Sequence, residues 1–117
     1  MKIKVEPTNY INGTVIISGS KNTVLPLMVC SMLTNKEVIL NNVPNISDVR
    51  IYCDILQDLG AKITWNNEHE ITIDTRNIDE TEASEELTSK FRASYYIIGS
   101  MLGRTGKISV GMPGGCK

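Results

Sequence analysis

The chain has 117 residues, the usual size of one domain or a large part of one, so folding can bury a core. Hydrophobic residues make up 41% and charged residues 21%, which is ordinary for a soluble globular protein. The formal net charge of -1, from 12 basic and 13 acidic residues, gives no support for a nucleic-acid or membrane-surface partner. A local cationic pocket remains compatible with that balance.

The chain shows neither a secretory signal nor a membrane-spanning run. Its start, MKIKVEPTNY, is basic but has no apolar segment behind it. The most apolar stretch, VLPLMVCSML (24–33), is about half the length that spans a bilayer. The three cysteines are odd in number and lack metal-ligand spacing, which indicates free thiols in a reducing compartment. We therefore expect a cytosolic protein. Because the sequence has no metal-ligand cluster we expect no metal site, and we also expect no cofactor.

The first predicted elements are two short strands and a helix. Residues 2–7 (KIKVEP) and 13–20 (GTVIISGS) read as strands, and an Asn-Gly pair at 12–13 suits a tight turn between them. The stretch SGSKN then opens a helix, with Ser20 as its N-cap because the hydroxyl can accept from amides one turn on. Pro26 conflicts with a regular helix there, so the helix begins late or bends.

The middle of the chain predicts a strand, a helix and a hairpin. EVILNNV (37–43) reads as a strand that Pro44 stops, and residues 47–59 form an amphipathic helix that ends at Gly60. KITWN (62–66) and EITIDT (70–75) alternate apolar and polar residues around a loop, as hairpin strands do. The predicted buried stripe of the helix is Val49, Tyr52, Cys53, Leu56 and Leu59.

The last third predicts a connection, a helix and a strand. Residues 76–86 are acidic and non-periodic, which indicates a surface connection, and a third helix runs from about 84 to 102 and ends at Gly103. KISVGM (107–112) is the last predicted strand. Taken together, the order of the predicted helices and strands indicates an α/β fold in which helices cover one face of a sheet. The second helix–strand pair resembles the start of another copy of the first unit. The predicted stripe of the third helix is Leu87, Phe91, Tyr95, Ile98 and Leu102.

Cys116 is the thiol best placed for chemistry. It follows two glycines in a turn after a strand, where exposure is expected, and Lys117 beside it favours the thiolate. The alternative is a terminal cysteine without a function. Cys30 and Cys53 lie in apolar stretches of helices, where a small buried hydrophobic residue is the simpler interpretation.

Two further patterns suit an anionic ligand. In SGSKN (18–22), backbone amides at a helix start and the Lys21 ammonium can hold an anion, although many surface helices begin this way. Arg92 and Tyr96 are four residues apart, so on a helix they share a face that could grip a phosphate and stack on a base. An arginine stem packed over a surface tyrosine is an equally simple interpretation.

Five stretches spread along the chain carry a resemblance to one known family. They are GTVIISGSKNTVLPLM (13–28), NNVPNISDV (41–49), LGAKI (59–63), FRAS (91–94) and MPGGCK (112–117). In order and spacing they resemble the N-terminal part of the UDP-N-acetylglucosamine 1-carboxyvinyltransferase family. The sister enzymes that make enolpyruvyl-shikimate-phosphate share the fold but are not expected to carry the PGGC stretch.

The resemblance implies a fold, a reaction and residue roles. The fold would be an enolpyruvyl-transferase-like inside-out α/β barrel, here one βαβαββ-type repeat plus the start of the next. The small-molecule substrates would be phosphoenolpyruvate and UDP-N-acetylglucosamine, in the bacterial cytoplasm. Lys21 and Asn22 would hold phosphoenolpyruvate, Arg92 would contact the UDP-sugar, and Cys116 would be the catalytic cysteine that fosfomycin alkylates.

Members of that family are more than three times as long as this chain. The resemblance therefore predicts a fragment: residues 1–19 would belong to the other barrel, and 20–117 would form part of the barrel that carries the site. The general base lies outside the chain, so we expect the fragment alone to be inactive. The alternative is a truncated, non-catalytic module of the same fold that acts as a binding or assembly partner.

Overall fold

The computed structural model describes residues 1–90 and 92–112. Two short 3-10 segments, Ser31–Leu33 and Arg92–Tyr95, accompany the regular elements. The helices are α1 (Lys21–Cys30), α2 (Ser47–Asp58), α3 (Glu85–Thr88) and α4 (Tyr96–Thr105). The strands are β1 (Val38–Asn41), β2 (Lys62–Asn67), β3 (Glu70–Asp74), β4 (Glu82–Ala83) and β5 (Ser109–Val110).

The main sheet has three antiparallel strands in the order β1-β3-β2. The central strand β3 places Ile71 opposite Leu40 and Ile73 opposite Val38, and both isoleucines are fully buried. They belong to the same hydrophobic core as the buried residues of α1, α2 and α4. Helices therefore cover one face of the sheet, as the sequence predicted.

Helix α2 confirms the amphipathic prediction most closely. All five stripe residues are buried, and α2 ends within one residue of the predicted end. Gly60 follows with φ +98, a left-handed conformation that glycine adopts without strain. A Cβ at Gly60 would also lie 2.9 Å from the Asn77 carbonyl oxygen. The predicted hairpin is confirmed as well, as β2 and β3.

Helix α1 begins directly after Ser20 rather than late, and it contains Pro26 within it. Ser20 is the N-cap residue, and its carbonyl oxygen accepts from the amides of Thr23 (3.1 Å) and Val24 (3.0 Å). The Ser20 hydroxyl, however, makes no capping hydrogen bond, contrary to the prediction. The first turn of α1 consequently keeps amide donors that no helical carbonyl can satisfy.

The predicted helix over 84–102 is wrong as a single element. It is divided into α3, the 3-10 segment 92–95 and α4, which runs past Gly103 and ends at Thr105, before Gly106 (φ +75). Side-chain hydroxyls in this stretch bond to nearby carbonyls, among them Ser94 to Thr88 (2.9 Å), and such bonds compete with regular helix. The interruption rotates α4 about its axis relative to the predicted continuous helix. The buried residues of α4 are therefore Ile97, Ser100 and Met101. Phe91 lies outside the described residues, and Leu102 is about half exposed.

The acidic connection predicted over 76–86 contains a strand. Strand β4 pairs in parallel with β5, with Glu82 opposite Ser109 and Ala83 opposite Val110. Strand β5 is shorter than the 107–112 predicted. A two-residue strand has no measurable periodicity, and its partner lies far along the chain, so the sequence pattern could not reveal this pairing.

The two strands predicted in the first 20 residues are absent, because residues 1–20 form no helix or strand in the structure. The apolar side chains of this segment are exposed, including Val15 (80%), Ile16 (93%) and Ile17 (77%). Alternating β-branched residues favour a strand, but a strand forms only with a partner along its edge. Gly19 is where the segment meets the packed unit, since a Cβ there would overlap the Asn42 carbonyl.

Arg104 ties the end of α4 to the sheet. Its guanidinium donates to the carbonyl oxygens of Met32 (2.7 Å), Thr34 (3.1 Å) and Thr75 (2.5 Å). These carbonyls belong to the segment after α1 and to the end of β3, so one side chain orients α4 against both layers. No helix in the described ranges is long and apolar enough to cross a membrane.

Candidate anion-binding cleft

Three helical segments begin at one open cleft of about 420 Å³. Helix α1 contributes its first two residues, α2 contributes its second, and the 3-10 segment before α4 contributes its first. We call this recess the anion cleft. The residues that matter for its chemistry are Lys21, Asn22, Asp48, Arg92, Tyr95 and Tyr96.

Lys21 and Asn22 occupy the first turn of α1, and both side chains are exposed. The first turn of α1 contains no acidic residue, so no side chain of that turn offsets the positive end of the helix dipole. Unsatisfied amides, a helix N-terminus and an ammonium together favour a bound anion. The structure thus places these two predicted site residues at a position suited to phosphate.

Lys21 is paired with Asp48 on the wall of the cleft. The Lys21 Nζ lies 2.7 Å from Asp48 Oδ2, and the two side chains are 47% and 31% exposed. Sequence reasoning missed Asp48, because an acidic residue in the first turn of a helix is commonplace. The pair joins residues 27 apart in sequence, so only the packing of α1 against α2 brings them together.

Arg92 lines the same cleft as the start of α1, and its side chain is exposed. Tyr96, four residues on, lines the same cleft, although a 3-10 segment rather than a continuous helix joins them. Tyr52 of α2 lies beneath and donates its hydroxyl to the Ala93 carbonyl oxygen at 3.3 Å. Burial raises the pKa of Tyr52, which keeps that donor protonated.

The predicted catalytic residue, Cys116, lies outside the described residues, as does Lys117. Of the other cysteines, Cys53 is buried as predicted, and burial raises its pKa to about 12. The prediction that Cys30 is buried is wrong, since Cys30 is exposed. Two positions along a helix is about 200° of rotation, so Cys30 faces away from the buried Met28 despite its apolar neighbours.

No cluster of histidine, cysteine or acidic residues within 1–90 and 92–112 could hold a metal ion. His69, in the hairpin loop, is exposed, and its Nδ1 lies 3.0 Å from the Val43 carbonyl oxygen. The backbone carbonyl of His69 also accepts from the Val43 amide at 2.8 Å. These contacts fasten the hairpin loop to the segment after β1, which is a structural role.

The fold and the cleft together define the class of protein. Residues 5–117 match the EPSP synthase (3-phosphoshikimate 1-carboxyvinyltransferase) family, and the chain belongs to that family. The crystal structure of the enolpyruvyl transferase NikO from Streptomyces tendae superimposes with a TM-score of 0.72 at 22% identity. That superposition covers 84% of this chain and 23% of NikO, and it confirms the predicted enolpyruvyl-transferase fold.

Among particular relatives, the chain is similar to UDP-N-acetylglucosamine 1-carboxyvinyltransferases. It is 40% identical over 114 residues to that enzyme of Campylobacter jejuni subsp. doylei. It is 39% identical over 115 residues to UDP-N-acetylglucosamine 1-carboxyvinyltransferase 2 of Bacillus cereus. These matches cover 97% and 98% of this chain, which spans 27% of the length of either relative. They confirm the resemblance predicted from the sequence.

Proposed function

We propose that this chain carries part of an active site that joins phosphoenolpyruvate to UDP-N-acetylglucosamine in the bacterial cytoplasm. The enolpyruvyl group would move to the sugar 3-hydroxyl with release of phosphate, in the first committed step of peptidoglycan synthesis. The observation that carries the proposal is the meeting of Lys21, Asn22 and Arg92 at one cleft. The names of the curated relatives supply the sugar nucleotide and the transferred carboxyvinyl group, and phosphoenolpyruvate as the donor rests on the sequence resemblance.

Lys21 and Asn22 take the phosphate of phosphoenolpyruvate. The ammonium is a compact point charge with three donors, and the Asn22 amide adds neutral donors beside it. The N-terminus of α1 adds a fixed positive field whose donors need no reorientation during the reaction. This arrangement stabilises charge that grows on the phosphate as it leaves.

Arg92 takes the sugar nucleotide. A guanidinium can bind a phosphate through two parallel hydrogen bonds, which fixes orientation as well as position. Tyr95 and Tyr96 beside it are 41% and 49% exposed, and their rings offer flat surfaces on which a base can stack. The Tyr52 hydrogen bond to Ala93 holds this wall of the cleft in place.

Cys116 supplies the proton in the addition step. A thiol with an ordinary pKa near 8.5 is mostly protonated at neutral pH, so it can act as a general acid. The sugar oxygen bonds to C2 of phosphoenolpyruvate while C3 gains the thiol proton and a base takes the hydroxyl proton. Loss of a C3 proton and departure of phosphate from C2 then restore the double bond. The role of Cys116 rests on the sequence resemblance.

The 117 residues alone would not complete this reaction. In this proposal residues 1–19 pack against another part of a longer polypeptide, and residues 20–117 form part of one barrel domain. The exposed side chains of Val15, Ile16 and Ile17 support that division, because they are apolar and uncovered. The base that takes the hydroxyl proton would come from elsewhere in the polypeptide.

A non-catalytic module of the same fold is the second candidate, and thiol chemistry separates the two. The experiment uses a Cys30→Ser background, because Cys30 is exposed and would react without a formed site. Fosfomycin is added with and without UDP-N-acetylglucosamine, and labelling is followed by intact mass and peptide mapping. Cys53 serves as an internal reference, since its buried thiol, with pKa raised to about 12, stays protonated.

We expect Cys116 to be labelled faster when the UDP-sugar is present, and Lys21→Ala to slow that labelling. Cys116→Ser should remove the label entirely, which controls for reaction elsewhere. Labelling of Cys116 at the same rate with and without the sugar would contradict a formed active site and favour the non-catalytic module.

A further inference from the structure

The ion pair between Lys21 and Asp48 joins the first turns of α1 and α2 at the anion cleft. It lies on the wall of the anion cleft, with Nζ and Oδ2 2.7 Å apart and both side chains partly exposed. Partly exposed ion pairs contribute little to stability, so stability is a weak reason for its presence. The negative charge suits the N-terminus of α2, but that preference does not require contact with Lys21.

Contact with Asp48 orients Lys21. A lysine side chain has several rotatable bonds, and fixing it when a ligand binds costs conformational entropy. The Lys21 ammonium has three donors, so one can remain on Asp48 while the others meet a phosphate. A lysine that is already oriented in the free protein binds the ligand without that cost in conformational entropy.

We propose that Asp48 is a positioning residue, which holds the Lys21 ammonium over the cleft for the phosphate of phosphoenolpyruvate. The inference rests on the proposed function, because it takes that phosphate as the ligand of Lys21. Asp48 acts through Lys21 and need not touch the substrate. Its carboxylate also repels the phosphate, so the orienting effect and the repulsion oppose each other.

Ionic strength separates the two effects. Repulsion between Asp48 and the phosphate acts through solvent and weakens as salt shortens the Debye length. A short contact such as the Lys21–Asp48 pair is screened less. The orienting effect should therefore dominate at high salt, and the ratio of dissociation constants between an Asp48 variant and the wild type should rise with salt.

The test measures phosphoenolpyruvate binding to the 117-residue chain by titration calorimetry. Asp48→Asn keeps the size and removes the charge, and Asp54→Asn removes the same charge from an exposed position of α2 outside the cleft. Binding is compared at about 0.1 M and about 1 M salt, where the Debye length is about 10 Å and about 3 Å. Circular dichroism spectra establish that the three proteins are equally folded.

At high salt we expect Asp48→Asn to bind phosphoenolpyruvate about three- to tenfold more weakly than the wild type, and less difference at low salt. The control variant Asp54→Asn should bind phosphoenolpyruvate with the same affinity as the wild type at both salt concentrations. If Asp48→Asn binds as tightly as the wild type at high salt, Asp48 does not position Lys21. If the wild type itself binds no phosphoenolpyruvate, the proposed function fails as well, so the two failures are distinguishable.

A second measurement reports the position of Lys21 directly. The ammonium groups of lysines labelled with ¹⁵N are observed by NMR, with the exposed Lys36 as a reference. We expect the Lys21 ammonium to be more ordered than that of Lys36 in the wild type, and to lose that order in Asp48→Asn. Equal order of Lys21 in both proteins would contradict the inference whatever the binding data show.

Discussion

Two stretches of similar composition differ in structure: one forms a β-strand and the other does not. GTVIISGS (13–20) and EVILNNV (37–43) are both rich in β-branched residues, and both predict a strand. The second forms β1 and pairs with β3, whereas the first forms no strand and exposes its isoleucines to solvent. The two stretches have similar composition. The availability of a neighbouring strand to pair with therefore decides which stretch becomes a strand.

The largest expected effect comes from comparing a buried isoleucine of the sheet with an exposed isoleucine of the N-terminal segment. Ile73 of β3 is fully buried and Ile16 is 93% exposed, so Ile73→Ala should lower the free energy of unfolding by about 2–5 kcal/mol. Ile16→Ala should change it by less than about 0.5 kcal/mol, because an exposed side chain loses no packing. Urea denaturation of both variants measures the difference. Equal losses would show that residues 1–18 pack in solution.

An intermediate effect is expected at Arg104, which fastens the helical layer to the sheet. Arg104→Ala leaves the carbonyls of Met32, Thr34 and Thr75 without their charged donor. Losing hydrogen bonds to a charged group should lower the free energy of unfolding by about 1–3 kcal/mol. Lys107→Ala removes an exposed cation nearby and is the matched control. An unfolding curve for Arg104→Ala that matches the control would contradict this role.

The smallest effect concerns acid stability at the end of β3. A side-chain hydrogen bond from Arg76 lowers the pKa of Asp74 from 3.8 to about 2. Because the folded-state pKa is the lower one, the stabilisation is fully present above the unfolded-state value and disappears as pH falls from about 4 to about 2. Asp74→Asn should flatten the loss of stability over that range, as measured by denaturation at several pH values.

Asp54→Asn is the control for the acid experiment, because it removes an exposed carboxylate of α2. Identical curves for Asp74→Asn and Asp54→Asn would mean that the contact between Asp74 and Arg76 has no measurable effect on stability.

Regular periodicity explains which parts of the fold the sequence could predict. Helix α2 keeps one apolar stripe over three turns, and β2 and β3 alternate cleanly around a short loop, so their periods are readable. Between residues 84 and 105 the helix is interrupted, and there the Ser94 hydroxyl bonds to the Thr88 carbonyl six residues back, a contact that no apolar period reveals. The short strand β4 depends on a distant partner and has no local signature.

The candidate site divides in a similar way. Lys21, Asn22 and Arg92 could be predicted as site residues from the sequence, because they lie in stretches that resemble a known family. The structure brings all three to one cleft. Asp48 lies within one of those stretches too, but its partner is fixed only by the packing of α1 against α2. A contact between side chains 27 residues apart is tertiary information that one sequence does not contain.

The most direct test of the central claim is an NMR titration of the ¹⁵N-labelled chain with phosphoenolpyruvate and, separately, with UDP-N-acetylglucosamine. If the cleft holds the two substrates as proposed, phosphoenolpyruvate should shift mainly the amides of 21–23 and the sugar nucleotide mainly those of 92–96, and Lys21→Ala should abolish the first set of shifts. Failure of either ligand to shift its own group of amides, or shifts centred elsewhere in the chain, would contradict the account.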